Sequence, residues 1–476
     1  MIKNFRLTIS LIILFSVCLN AQNCEKPIVL NLGPHLFIDD YLIADQNFLL
    51  RTVNNPHKLP DPIIISGLKN DQVWQPYMSI LRDPDSKLFR IWYNTPVDTN
   101  EVSRCHIGYM ESKDGIHWIR PVRLLKDPHD IQFGVTVIDR GKNFPDQQKR
   151  YVFATYLKPG FWVSTSPDGF NWTPISDKPV FLHNHDITSL FWDPIRKQYL
   201  ATVSNRLTGF GDINNPAIDD SRRIPHETVS KDLLHWEPIW PIIMPKIGAP
   251  KEQGETQFYS MSGIIARGDL LIGLVKVLRD DLNATPGKTA KEMGDMNRKA
   301  AGLGYTVLAW SRDGRTWERD DQPFIPNNPV PGTFDHAMAW GDEQIIVGDD
   351  TYVYYAGYER GHKVNRFNER HIGFAQMPLD RYVSWDADLN LGTLITKPVI
   401  INADYLTVNA NVKNECRVRL LDKNCKPIEG FDWVNINGDS VEHKVKWTKS
   451  LSSLSGEPIC IEFQLKNAQL FGFYLY

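Results

Sequence analysis

Cysteine is scarce: the 476-residue chain has six, and no two stand in a C-x-x-C pair. Without that spacing there is no zinc scaffold to read. Cys24, Cys105, Cys416, Cys425 and Cys460 are scattered. A disulfide among the last three suits an oxidising compartment, and free buried thiols suit the sequence equally; spacing does not assign a pair. Long apolar runs are as rare. The one candidate, "LTISLIILFSVCL", follows Lys3 and Arg6 and precedes "LNA" and Gln22. It reads as an export signal over residues 1–21, cleaved near Ala21, and is too short to span a membrane. Cys18 follows Ser-Val, which departs from a lipoprotein signal. Loss of Lys3 and Arg6 with this segment takes the formal charge from −3 to −5. An excess of positive charge is therefore missing too, which excludes nucleic acid and acidic membrane as electrostatic partners. The expected location is periplasmic or extracellular.

Turn formers and aromatics are plentiful: 31 Gly, 31 Pro and 14 Trp. This composition suits an all-β protein with many turns, long enough for two domains. One pattern recurs: "SKDGIHW" (112–118), "SPDGFNW" (166–172), "SKDLLHW" (230–236) and "SRDGRTW" (311–317), with a degenerate copy, "MPLDRYVSW", ending at Trp385. The Asp side chain accepts from backbone N–H groups just ahead of it, and Gly takes a positive φ. The motif thus marks a turn, between the third and fourth strands of a repeated unit. Such self-similarity is the sign of stacked units, and four short strands each is the pattern of a propeller blade. Five copies give five blades over residues 30–390. From residue 391 to 476 shorter alternating strands read as a small β-sandwich.

Blade geometry then says where chemistry belongs. Strands alternate in direction, so the start of each innermost strand and the second-to-third loops share the face opposite the motif turns. The innermost strands are read as 74–83, 132–140, 186–194, 255–265 and 334–342. Asp186, Glu255 and Asp335 open three of them, and glycoside hydrolysis needs carboxyl groups in different environments. Asp186 is assigned as base or nucleophile, Glu255 as proton donor and Asp335 as the orienting carboxylate. The bland alternative for each acid is a turn residue. Trp74 and Tyr259 are candidate stacking platforms or core; Gln75, His185 and His336 are candidate sugar contacts. Arg222, in the long loop 205–227, would meet an anionic sugar or stay a solvated charge; loop 278–302 is a second rim. "HLFIDDYLI" (35–43) offers Asp39 and Asp40 as a rival pair on a strand that packs against the propeller. Asp83 and Asp193, in Asp-Pro hairpins between first and second strands, read as structural.

With its repeated S-x-D-G-x-x-W turns, Asp-Pro hairpins and terminal sandwich, the chain resembles the five-bladed glycoside hydrolases of families 32, 43, 68 and 117. It departs from them as well. The Asn-Asp-Pro-Asn motif of family 32 is missing, its Glu-Cys pair occurs only at Glu415–Cys416 in the terminal segment, and Gln75 stands where families 32 and 43 place an acid. The resemblance implies a glycosidase that requires no cofactor and admits a calcium ion in the channel. The reading is an exported glycoside hydrolase acting on plant- or algal-derived oligo- or polysaccharides. The alternative is a non-catalytic carbohydrate-binding propeller. A sialidase would need six blades and three clamping Arg, and export argues against a mannoside phosphorylase.

Overall fold

The computed structural model describes residues 26–65, 73, 77–97, 104–185, 188–209, 222–244, 256–279, 281–296 and 300–476; of Thr256, Gln257 and Tyr259 only the backbone is described. The chain is all-β, with several sheets and only two 3-10 turns of helix among the described residues. Each unit begins with a strand whose next neighbour in sequence returns antiparallel beside it. Met78–Arg82, Phe89–Pro96, Cys105–Ser112 and Arg123–Leu124 form the first. Phe133–Asp139, Tyr151–Leu157, Gly160–Ser166 and Thr173–Pro174, with Phe181–Leu182 also beside Gly160–Ser166, form the second, and Thr188–Asp193, Gln198–Leu207, Arg222–Ser230 and Trp240–Pro241 the third. A larger sheet holds Thr256–Arg267, Leu270–Arg279, Leu303–Ser311 and Glu318–Arg319, and then Met338–Val347, Asp350–Tyr358 and Arg370–Pro378. Its two halves are joined as paired strands at Gly304 and Met338.

The outermost place beside Arg370–Pro378 is filled from the other end of the chain. His57–Lys58 pairs there, Lys58 opposite Ala375. The first strands of the units lie side by side in a closed cycle: Met78–Arg82, Phe133–Asp139, Thr188–Asp193, Thr256–Arg267, Met338–Val347 and back to Met78–Arg82. These follow the expected innermost segments, with one shift. The last starts at Met338 rather than residue 334, because 328–337 is wound into turns in which Asn328 N–H donates to the Asp335 carbonyl and His336 N–H to that of Thr333.

The repeated motif closes the third-to-fourth turn of four units. In each copy the Ser hydroxyl oxygen accepts, at 2.9 Å, the N–H of the residue three places on: Gly115, Gly169, Leu233 and Gly314. The Asp carboxylate accepts the next two N–H groups at 2.7–2.9 Å. The residue at the Gly position has φ between +67° and +82°. Gly169 also lies against another unit: a Cβ there would be 3.1 Å from the ring of Trp92. Trp92 is fully buried and donates from its indole N–H to the Gly169 carbonyl at 2.9 Å. The turn is thus a cap for its own strands and a contact to the sheet beside it.

The degenerate fifth copy departs for a physical reason. Asp380 no longer caps a turn; its carboxylate holds Arg267 at 2.5 Å and accepts the Tyr474 hydroxyl at 2.7 Å. From there the chain passes into a ten-stranded sheet. That sheet joins Val383–Ala387, Gly392–Thr396, Leu406–Asp422, Val434–Lys444 and Pro458–Leu475 to strands from residues 28–53. The early strands enter by long-range pairing, Gly33–Leu36 against Pro458–Leu475. One apolar core, including Phe37, Leu394, Val418 and Phe463, serves both ends of the chain.

Candidate active site

The starts of the cycle's strands and the ends of their second strands share one face. Of the expected site residues, Trp74, Gln75, Asp186 and Glu255 lie outside the described residues, and the Tyr259 side chain does too. Asp186 and Glu255 precede, by two residues and by one, the neighbouring strands Thr188–Asp193 and Thr256–Arg267. His185, half-buried, stands just before the first of these. Arg222 was expected in a loop; it opens the strand Arg222–Ser230 opposite Leu207 and is 2% exposed, so it is not a solvated charge.

Asp335 and His336 are together, and both are engaged. The Asp335 carboxylate is 2% exposed, holds Lys58 at 2.6 Å and accepts the Tyr355 hydroxyl at 3.2 Å. It fastens the closing strand His57–Lys58. His336 Nδ1 lies 2.7 Å from the Asn328 carbonyl and Nε2 3.0 Å from the Thr285 hydroxyl. A carbonyl only accepts, so Nδ1 is the donor there. The ring thereby pins the rim loop that follows Arg279.

The rival pair is separated. Asp39 gives its carboxylate to Arg312 at 2.6 and 2.8 Å and to the Trp310 indole N–H at 2.9 Å, while Asp40 is exposed. This ties the terminal sheet to the fourth motif turn, next to Arg51 on Asp320. Asp83 and Asp193 accept N–H groups within their own hairpins, as expected of structural residues.

The acids that do face the cycle's axis were not singled out. A cavity of about 420 Å³ runs between the first strands, with Thr136, Ser189, Ser262, Asp342, Glu343 and Gln344 among its polar walls. Pairing shifts between Gly341 and Glu343, so Asp342 is the extra residue of a bulge, a device that re-aims a side chain. Its carboxylate accepts from the Met78 N–H at 2.6 Å, from the Ser262 hydroxyl at 3.0 Å and from fully buried Lys276. Three strands of the cycle are thus joined at one side chain. Burial, reinforced by the Asp342 charge, pushes the Glu343 carboxyl up to about 8. The readable sign was "GDE" inside an otherwise apolar strand. On the site face, His106 lies 2.6 Å from Asp127, a further acid–imidazole pair.

The oxygens of Asp342 are taken by Lys276, Ser262 and Met78, and no group of three His, Cys, Asp or Glu is arranged for a metal among the described residues. Among the same residues no helix is long and apolar enough to cross a membrane.

Comparison with known proteins gave structural likenesses alone. No family model matches the chain, and no curated protein matches it. A solved structure described as a glycoside hydrolase aligns with 14% identity over 69% of this chain and 93% of its own, at a TM-score of 0.45. A β-1,2-mannobiose phosphorylase from Listeria innocua aligns with 12% identity over 68% and 97%, at 0.44. A structure from the GH130 family of mannoside phosphorylases, which contains hydrolases that target β-1,2 mannosidic linkages in Candida mannan, aligns with 14% identity over 75% and 96%, at 0.41. Likeness at this level leaves this chain's chemistry open.

Proposed function

We propose that the protein is a glycan-active enzyme, a glycoside hydrolase built on a five-bladed propeller with a terminal β-sandwich, and that it is exported. The observation that carries this is the closed cycle of first strands, two of which, neighbours, begin two residues after Asp186 and one residue after Glu255. Glycosidic cleavage needs two carboxyl groups: one protonated to assist the leaving oxygen, one ionised as base or nucleophile. In this reading Glu255 is the donor and Asp186 the base or nucleophile, with Trp74, Gln75, Tyr259, His185 and Arg222 around the sugar. Asp335 holds Lys58, and His336 holds the rim loop. The substrates are oligo- or polysaccharides of plant or algal origin, and no step calls for a cofactor.

Gln75, standing where an acid is found in families 32 and 43, favours one second reading: a propeller that binds carbohydrate without cleaving it. Incubating the protein with a broad panel of oligosaccharides separates the two. Release of new reducing ends supports the hydrolase. Sugar binding without turnover across the panel supports the binding propeller.

A further inference from the structure

We propose that Cys425 and Cys460 are a disulfide-forming pair that ties the turn after Asp422 to the long strand Pro458–Leu475. Strand pairing brings the partners close. Leu421 lies opposite Cys460, and Asp422 opposite Ile459. Beyond Asp422 the chain reverses at once: Asp422 N–H donates to the Lys426 carbonyl at 2.8 Å and Cys425 N–H to that of Asp422 at 2.9 Å. The Asp422 carboxylate fixes the same turn, accepting the N–H groups of Asn424 at 2.8 Å and Lys426 at 2.9 Å. Cys425 sits in the left-handed region at φ +58°, folded back over the strand end, and its thiol and that of Cys460 hydrogen-bond to each other.

The surroundings separate this pair from the other thiols. Ile459, Ile461 and Phe463 face the terminal core, so Cys460, between them in sequence, points to the opposite side of the sheet. It is nevertheless only 2% exposed, whereas Cys425 is exposed. Cys416 lies on the core side, opposite Leu465, and Cys105 is in another sheet, against the Ile131 carbonyl. Among the described residues Cys425 and Cys460 are the two cysteines whose side chains meet.

The accessible thiol sets the order of events. The Cys425 thiolate attacks one sulfur of an oxidised disulfide donor, forming a mixed disulfide and releasing one donor thiolate, which takes up a proton. Cys460 then gives up its proton and attacks the Cys425 sulfur, expelling the second donor thiolate. Two protein thiols are oxidised, and one donor disulfide is reduced to two thiols. Burial, and then the neighbouring Cys425, push the Cys460 thiol up to about 12, so Cys425 is the attacking thiol and Cys460 the resolving one. The bond closes the segment from 425 to 460 and restricts the unfolded chain.

The test uses the full chain, reduced and then incubated with oxidised glutathione, with peptide mapping under non-reducing conditions. The expected result is one cross-linked peptide pair carrying Cys425 and Cys460, with a melting temperature about 5 °C or more above the reduced protein. Cys425→Ser should lose both the cross-link and the rise, and keep the melting temperature of the reduced wild type. Recovery of Cys460 as a free thiol, with Cys425 left as a glutathione adduct, would overturn the proposal. So would a cross-link from Cys460 to Cys416. Neither result bears on glycan cleavage, which this pair does not touch.

Discussion

Lys58 reaches across 277 positions of sequence to place its ammonium 2.6 Å from the Asp335 carboxylate. Lys58 belongs to the two-residue strand that completes the last unit, and Asp335 to the turns that lead into that unit's first strand. The contact closes the cycle at its seam. Removing one member of a buried ion pair leaves the other uncompensated, so Asp335→Asn should cost about 3 kcal/mol. The loss is read from urea unfolding of the variant. A variant as stable as the wild type would show that the seam is held elsewhere.

The Lys276–Asp342 pair makes a sharper case. Lys276 is fully buried, and Asp342 collects donors from three strands. Asp342→Ala should destabilise by about 3–5 kcal/mol, because an ammonium then stays in the interior without its counter-charge. The double change Lys276→Met with Asp342→Ala should recover part of that loss. Equal destabilisation by the single and double variants in denaturant titrations would refute the pairing.

Each motif turn should behave alike. Gly169→Ala places a Cβ at a positive φ and 3.1 Å from Trp92, and is expected to cost about 1–3 kcal/mol. Asp168 adds a pH signature. Burial raises its carboxyl, but the N–H groups of Asn171 and Phe170, with the Asn171 and Ser166 side chains, overcome this and bring it down to about 2. A folded-state value below the unfolded 3.8 gives stability that is present above about pH 4 and lost as pH falls towards 2. The acid-side slope should be shallower in Asp168→Asn, as followed by fluorescence melts from pH 5 to pH 2.

Glu227 titrates in the opposite sense. Burial raises its carboxyl to about 8, although the Trp317 indole N–H donates to it at 2.5 Å. The folded form holds its proton more tightly than the unfolded chain, so stability falls as pH rises from 4.5 to 8 and is level beyond. Glu227→Gln should remove about 2–4 kcal/mol of that fall. Parallel unfolding curves for wild type and variant at pH 5 and pH 9 would count against it.

The parts legible in the sequence are those fixed locally. A Ser–Asp–Gly turn makes its hydrogen bonds within four residues, so the four motif copies announce both themselves and the strands on either side. The first strands follow from them by counting. Non-local pairings leave no such mark. Strands from residues 28–53 join the terminal sheet through contacts with Pro458–Leu475, and Lys58 looks like any charged residue until Asp335 is beside it. The sequence puts Asp335 at a strand start, because "PGTF" does not announce the further turns that end only at Ala337. Lys276 and Asp342 escaped notice because a mid-strand charge gains meaning only from the partner that neutralises it.

Turnover by Asp186 and Glu255 variants tests the central claim most directly. On any oligosaccharide the wild type cleaves, Asp186→Asn and Glu255→Gln should each lower kcat by about 100-fold or more while sugar binding persists. Undiminished cleavage by both variants would contradict the account.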